Sequence, residues 1–148
     1  MILLAALRSI RMGLISLVPN FVPGLMGFGI WGLFVGEVGL ALSVVMAMTI
    51  GIVVDDTVHF LSKYRRARRE HGYSPEDAVR YAMQTVGRAL LTTTAILVSG
   101  FLILCLSDFL PTAQVGVLTA LIVALALIAD FLLLPPLLLT LDRDTSPP

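Results

Sequence analysis

Charged side chains are scarce. They make up 14% of the 148 residues, whereas a soluble domain carries about one quarter. Set against 57% hydrophobic residues, that scarcity excludes a water-solvated globular domain. The net charge of zero offers no footprint for nucleic acid or for an acidic substrate. The one cysteine, Cys105, cannot close an intramolecular disulfide and carries no information about redox compartment. No Ser–His–Asp set, metal-ligand cluster or phosphate-cradling glycine loop is present, and His71 stands alone in a polar stretch. The sequence therefore points to neither an enzyme nor a cofactor or metal site.

What is abundant is aliphatic sequence in runs long enough to cross a bilayer, which takes about 20 residues at 1.5 Å each. The run lengths predict an all-α, polytopic transmembrane helix bundle in a lipid bilayer. It has four spans, at about Leu14–Val35, Val38–Ser62, Ala89–Ser107 and Thr112–Leu141. A polar tail, residues 142–148, follows. Met1–Leu7 is apolar but too short to span. It reads as the tail of an earlier helix, a signal-like stub or an interfacial segment. A secretory signal is disfavoured because Arg8 and Arg11 follow the apolar run instead of preceding it.

Four spans place all ten basic residues on one side: Arg8 and Arg11, then Lys63 through Arg88 in the middle loop, then Arg143. The positive-inside rule makes that side cytoplasmic, with both termini and the loop 63–88 facing it. Within the loop, Ser74-Pro75-Glu76-Asp77 carries an N-cap, a first-turn proline and early acids, which start a helix. Ala78, Val79, Ala82, Met83 and Val86 then form one apolar stripe. The pattern predicts a short amphipathic helix on the cytoplasmic membrane surface leading into the third span. The cluster of Lys63, Arg65, Arg66, Arg68 and Arg69 reads as a topological anchor before it reads as an anionic-lipid site.

Two adjacent carboxyls interrupt the second span. Asp55 and Asp56 are its only charged groups, and an Asp at the centre of a spanning helix costs about 2.5–3.5 kcal/mol. With the span running to Ser62, Asp55 lies about 7–8 Å on the cytoplasmic side of the midpoint at Ile50. A buried pair that alternates between neutral and charged forms titrates as a unit and can carry a proton. His59 lies within helical reach of both and either shares that proton or only hydrogen-bonds the pair. No lysine or arginine falls inside a span, so any basic partner must come from elsewhere.

Other polar groups recur within the apolar runs. Thr92, Thr93 and Thr94 open the third span; their hydroxyls either bond a neighbouring carboxyl or return to their own backbone. Asp130, in the fourth span before Pro135-Pro136, is either a functional carboxylate or a packing polar group. Gly24, Gly27, Gly29, Gly32 and Gly36 line the first span, and small residues permit close helix approach in lipid. Gly51, one turn before Asp55, is a packing position that leaves room beside the carboxyls.

The string from Gly51 through Asp55, Asp56, Thr57 and His59 to Phe60 resembles the Gly-xxx-Asp-Asp signature of the tenth transmembrane helix in resistance–nodulation–division (RND) exporters. The MMPL-type and sterol-sensing-domain-like branch is the most similar. The order of features agrees: a Pro-Asn-xx-Pro span at Val18 to Pro23, the acidic helix, a basic loop, a threonine-rich span, and a last span reading Ala129-Asp130-Phe131-Leu132-Leu133-Leu134-Pro135. The resemblance covers essentially the whole chain, from the end of the eighth helix through the twelfth. It implies export of lipophilic substrates driven by the proton-motive force, with Asp55 and Asp56 as the proton relay. Thr93 and Thr94 match the family's hydroxyl-rich helix only approximately. His59, Thr93, Thr94 and Asp130 are candidates for relay support.

Members of that family have about twelve helices in two pseudo-symmetric halves, with two large extracytoplasmic domains. This chain has neither domain. The expectation is a C-terminal membrane portion, inactive alone, partnered by the remaining helices and extracytoplasmic domains of a full exporter or of a partner chain. A homo-oligomer is compatible with it. The bacterial cytoplasmic (inner) membrane is the implied location. The alternative is a sterol-sensing-like lipid-binding or sensory module that transports nothing.

Overall fold

The computed structural model describes residues 10–37 and 39–143, which fold into four helices. The expectations for Met1–Leu7 and for residues 144–148 lie outside the described residues. Helix α1 spans Ile10–Phe34, α2 Leu40–Glu70, α3 Pro75–Ile103 and α4 Leu110–Arg143; a 3₁₀ turn, Leu104–Leu106, follows α3. Three helices are long and apolar enough to cross a membrane: α2, α3 and α4. The apolar stretch of α1, Val18–Phe34, is shorter. Pro19 and Pro23 sit inside α1, and Pro135 and Pro136 inside α4. Each proline removes a backbone donor. Membrane helices tolerate this because neighbouring helices and hydroxyls re-satisfy the freed groups.

Helices α2 and α4 form the centre. Each packs against the other and against both α1 and α3, while α1 and α3 share no contact among the described residues. Two apolar clusters fill the interior. One joins Trp31 of α1, Leu42 and Val45 of α2, and Leu118 and Ile122 of α4. The other joins Phe60, Leu61 and Tyr64 of α2, Ala78 through Leu90 of α3, and Leu134 and Leu138 of α4. Outward-facing Leu91, Ile96, Leu102 and Ile103 leave most of the apolar surface of α3 to the bilayer.

The segment 63–88 differs from the loop that its charges suggest. At 31 residues, α2 is about 46 Å long and outruns the ~30 Å hydrocarbon layer. It therefore carries the basic cluster as helix to Glu70. The connection shrinks to His71–Ser74. Helix α3 starts where the capping residues predict: the Asp77 amide donates to Ser74 Oγ at 3.1 Å, with Pro75 in the first turn. It then continues unbroken to Ile103. The expected amphipathic helix is thus the first part of a spanning helix. Its stripe, Ala78, Ala82 and Val86, is buried against α2 and α4 instead of lying on the membrane surface. The reason is that the extended α2 supplies Phe60, Leu61 and Tyr64 as a protein surface to cover it.

The turn itself is specific. Gly72 has φ +63°, a left-handed conformation costly to other L-residues. Arg68 Nη1 donates to the Tyr73 carbonyl at 2.6 Å, and His71 stacks on Tyr73 with ring centroids 5.3 Å apart. Ser74→Ala removes the cap and is expected to lower stability by about 1 kcal/mol. Gly72→Ala is expected to cost about 1–2 kcal/mol. Thermal unfolding in detergent, monitored by circular dichroism, checks both.

Candidate functional site

Between α2 and α3 lies an open groove of about 770 Å³. Helix α2 contributes Gly51, Ile52, Asp55, Asp56 and His59, which recur every three or four residues and so share one face. Helix α3 contributes Val86, Ala89, Leu90, Thr93, Ile96 and Leu97. The groove is apolar apart from the α2 carboxyls and imidazole and the Thr93 hydroxyl.

The two aspartates are not equivalent. Asp55 projects from the bundle with 72% of its side chain exposed, and His59 is similar at 63%. Their closest atoms, His59 Nε2 and Asp55 Oδ1, are 3.8 Å apart. That separation suits an ion pair when the imidazole is charged but is too long for a hydrogen bond. Asp56 is half-buried. Gly51 lines the groove, where an added methyl would meet no described atom within 4 Å. Its expected packing role therefore finds no neighbour among the described residues; the missing side chain leaves the groove open beside Asp55.

The threonines divide as well. Thr93 faces the groove, but its hydroxyl lies 3.0 Å from the Ala89 carbonyl and 3.1 Å from that of Leu90, within donating reach of either. Thr92 likewise donates to Arg88 at 2.9 Å. Thr94 is turned away into the interior, where its hydroxyl is buried without a partner among the described residues. Of the two threonines singled out from the sequence, one reaches the acidic groove, and its hydroxyl is already engaged by its own backbone.

Asp130 is in neither groove nor lipid. It is 1% exposed, in the centre of the bundle, where Thr57 Oγ1 lies 3.1 Å from its Oδ1. The same hydroxyl lies 2.7 Å from Asn20 Oδ1 of α1. Asn20 and Thr57 are themselves buried, at 3% and 0%. This three-helix polar cluster sits between the two apolar clusters. Sequence reasoning passed over Asn20 and Thr57 as functional residues. The available signal was an amide inside the proline-containing span and a hydroxyl directly after the acidic pair. Asp56 stands between the two regions in sequence: it lines the groove and directly precedes Thr57 of the cluster.

A family model described as the MMPL family matches residues 1–147. The chain is also similar to MJ1562 of Methanocaldococcus jannaschii, named as a membrane protein. The two are 27% identical over 146 residues, which cover 99% of this chain and 37% of that relative. The chain thus spans well under half the length of the curated relative it matches.

Proposed function

The chain belongs to the MMPL family, and we propose that it is the proton-coupling membrane portion of an RND-type exporter of lipophilic substrates. Asp55 and Asp56 are the relay. The observation that carries this reading is the pair of carboxyls on the groove face of a spanning helix, with no lysine or arginine between Leu40 and Ser62 to neutralise them. Such groups are costly in lipid and are characteristic of proton pathways. Proton flow supplies the driving force: about 2.3 kcal/mol per 100 mV and about 1.4 per pH unit. Protonation removes charge from the groove and favours a different packing of α2 against its neighbours. His59, close to Asp55, modulates that exchange.

In this reading both termini face the cytoplasm, and the membrane is the bacterial inner membrane. Substrate-binding elements lie in further helices and extracytoplasmic domains, whether of the same polypeptide or of a partner. The largely apolar lining of the groove gives a second reading some support: a sterol-sensing-like module that seats a lipid chain and transports nothing. The discriminating experiment uses source-membrane vesicles containing the chain and follows a fluorescent lipophilic substrate. Collapse of the proton gradient with a protonophore is expected to stop accumulation. Accumulation that persists without a gradient overturns the transport reading, and lipid binding indifferent to the gradient identifies the sensory one.

A further inference from the structure

We propose that Asn20, Thr57 and Asp130 form a second proton-holding site, in the core of the bundle and distinct from the groove, with the proton carried on Asp130. The inference deepens the proton-relay reading and rests on it for its purpose. Its geometry and its test stand apart from transport.

The cluster has fewer hydrogens than its oxygens need. Thr57 Oγ1 is surrounded by three acceptors: Asn20 Oδ1 at 2.7 Å, Asp130 Oδ1 at 3.1 Å and the Val53 carbonyl at 3.2 Å. A hydroxyl owns one hydrogen and two lone pairs, so it can donate to only one of them. With the Asn20 amide turned so that Oδ1 faces Thr57, as here, this shortest contact takes it. Two oxygens, Thr57 Oγ1 and Asp130 Oδ1, then face each other with no hydrogen between them unless Asp130 supplies one. With the proton on Oδ1, the chain closes: Asp130 donates to Thr57, and Thr57 donates to Asn20.

Two other solutions fit less well. No lysine or arginine lies in α1 from Val18 to Phe34, α2 from Leu40 to Ser62, α3 from Ala89 to Ile103, or α4 from Leu110 to Leu141, so these stretches supply no such basic partner. A bound cation would have to separate its oxygen ligands, yet the Thr57–Asn20 distance is that of a direct O–H···O bond. Asp130 Oδ2 has no partner among the described residues, which a neutral acid tolerates far better than an ionised one. Among titratable groups on the surrounding helices, α1 and α3 offer none over the stretches just given. Helix α2 offers Asp56, next in sequence to Thr57, with Asp55 and His59 on the groove side.

Loss of the proton has a mechanical consequence. An ionised Asp130 needs a donor, so Thr57 turns its hydrogen to Asp130 Oδ1 and abandons Asn20 Oδ1. The Asn20 amide must then rotate so that Nδ2, which has no partner in the protonated arrangement, donates to Thr57 Oγ1. The hydrogen-bond chain reverses direction, and the tie between α1 and α2 is remade. The released proton passes to ionised Asp56 or to water in the groove. Asn20 and Thr57 are thus positioning residues, acting through Asp130.

Infrared difference spectroscopy of the protein in lipid, recorded between acidic and alkaline pH, tests this directly. A protonated-carboxyl band is expected that disappears in Asp130→Asn, shifts in Thr57→Val and keeps nearly its native position in Thr57→Ser. It is expected to be indifferent to replacement of sodium by a bulky organic cation. A band unchanged in Asp130→Asn and Thr57→Val overturns the proposal. So does a carboxylate band at Asp130 that tracks sodium, which would make the cluster a cation site. Should Asp130→Asn fail to insert, the Thr57→Ser and Thr57→Val pair still decides, because a merely structural hydroxyl would not move the band. An intact band in a protein that moves no substrate leaves this site standing and removes only the export reading.

Discussion

Replacing Asp56 by Asn is expected to reduce gradient-driven transport to the background of vesicles lacking the protein, with insertion and folding preserved. The substitution is nearly isosteric and removes an ionisable group from a half-buried position, so the helix loses no packing. What it loses is a carrier for the proton. Asp55→Asn is expected to act through the same exchange, at its outer step, because Asp55 is the exposed member of the pair and stands beside His59. His59→Gln, which keeps a polar side chain at that position, is expected to slow transport without stopping it. Vesicle assays with an imposed pH gradient measure all three, and circular dichroism verifies the helical content. Transport by Asp56→Asn at the native rate would remove the acidic pair from the mechanism.

Gly27→Val is expected to destabilise the bundle by about 1–3 kcal/mol, the usual cost of forcing extra carbons into a packed interface. A Cβ at Gly27 would collide with the Ile122 side chain of α4, so α1 must back away or Ile122 must leave its rotamer. Gly29 and Gly32 lie on the same helix, and a Cβ added at either would meet no atom within 4 Å. Gly29→Val and Gly32→Val are therefore expected to be near neutral. Gly116 repeats the argument at the α3–α4 contact, where a Cβ would come within 2.6 Å of the Phe101 carbonyl oxygen. Thermal unfolding of the set in a single detergent checks the contrast. Equal effects at Gly27 and Gly29 would contradict the packing of α1 on α4.

These glycines show where sequence reading stops. Four of those named, Gly24, Gly27, Gly29 and Gly32, lie within the first span, and as residue types all permit close approach equally well. Only Gly24 and Gly27 are used in that way among the described contacts, Gly24 against Met46 and Gly27 against Ile122. The difference is the rotation of α1 about its axis, which is set by its neighbours and not by its own composition. The middle segment makes the same point. Its charges suggested a loop, yet charge does not end a helix that has already left the hydrocarbon, and only Gly72 and the Ser74 cap do so. Its apolar stripe was readable, but what it would lie against was not.

Composition and short-range pattern dictate the solvent, the all-α class, the acidic face of α2 and the start of α3. Each depends on residues within a few turns of one another or on the overall content of the chain. The depth and facing of Asp55, the open space at Gly51 and the Asn20–Thr57–Asp130 cluster emerge only when the helices pack. Thr57 meets partners 37 and 73 residues away, and only packing of α2 and α4 against α1 brings an amide, a hydroxyl and a carboxyl to one point. Buried polar groups must find such partners because lipid offers none. Which groups find each other depends on helix rotation and register, neither of which is written in a single helix's sequence.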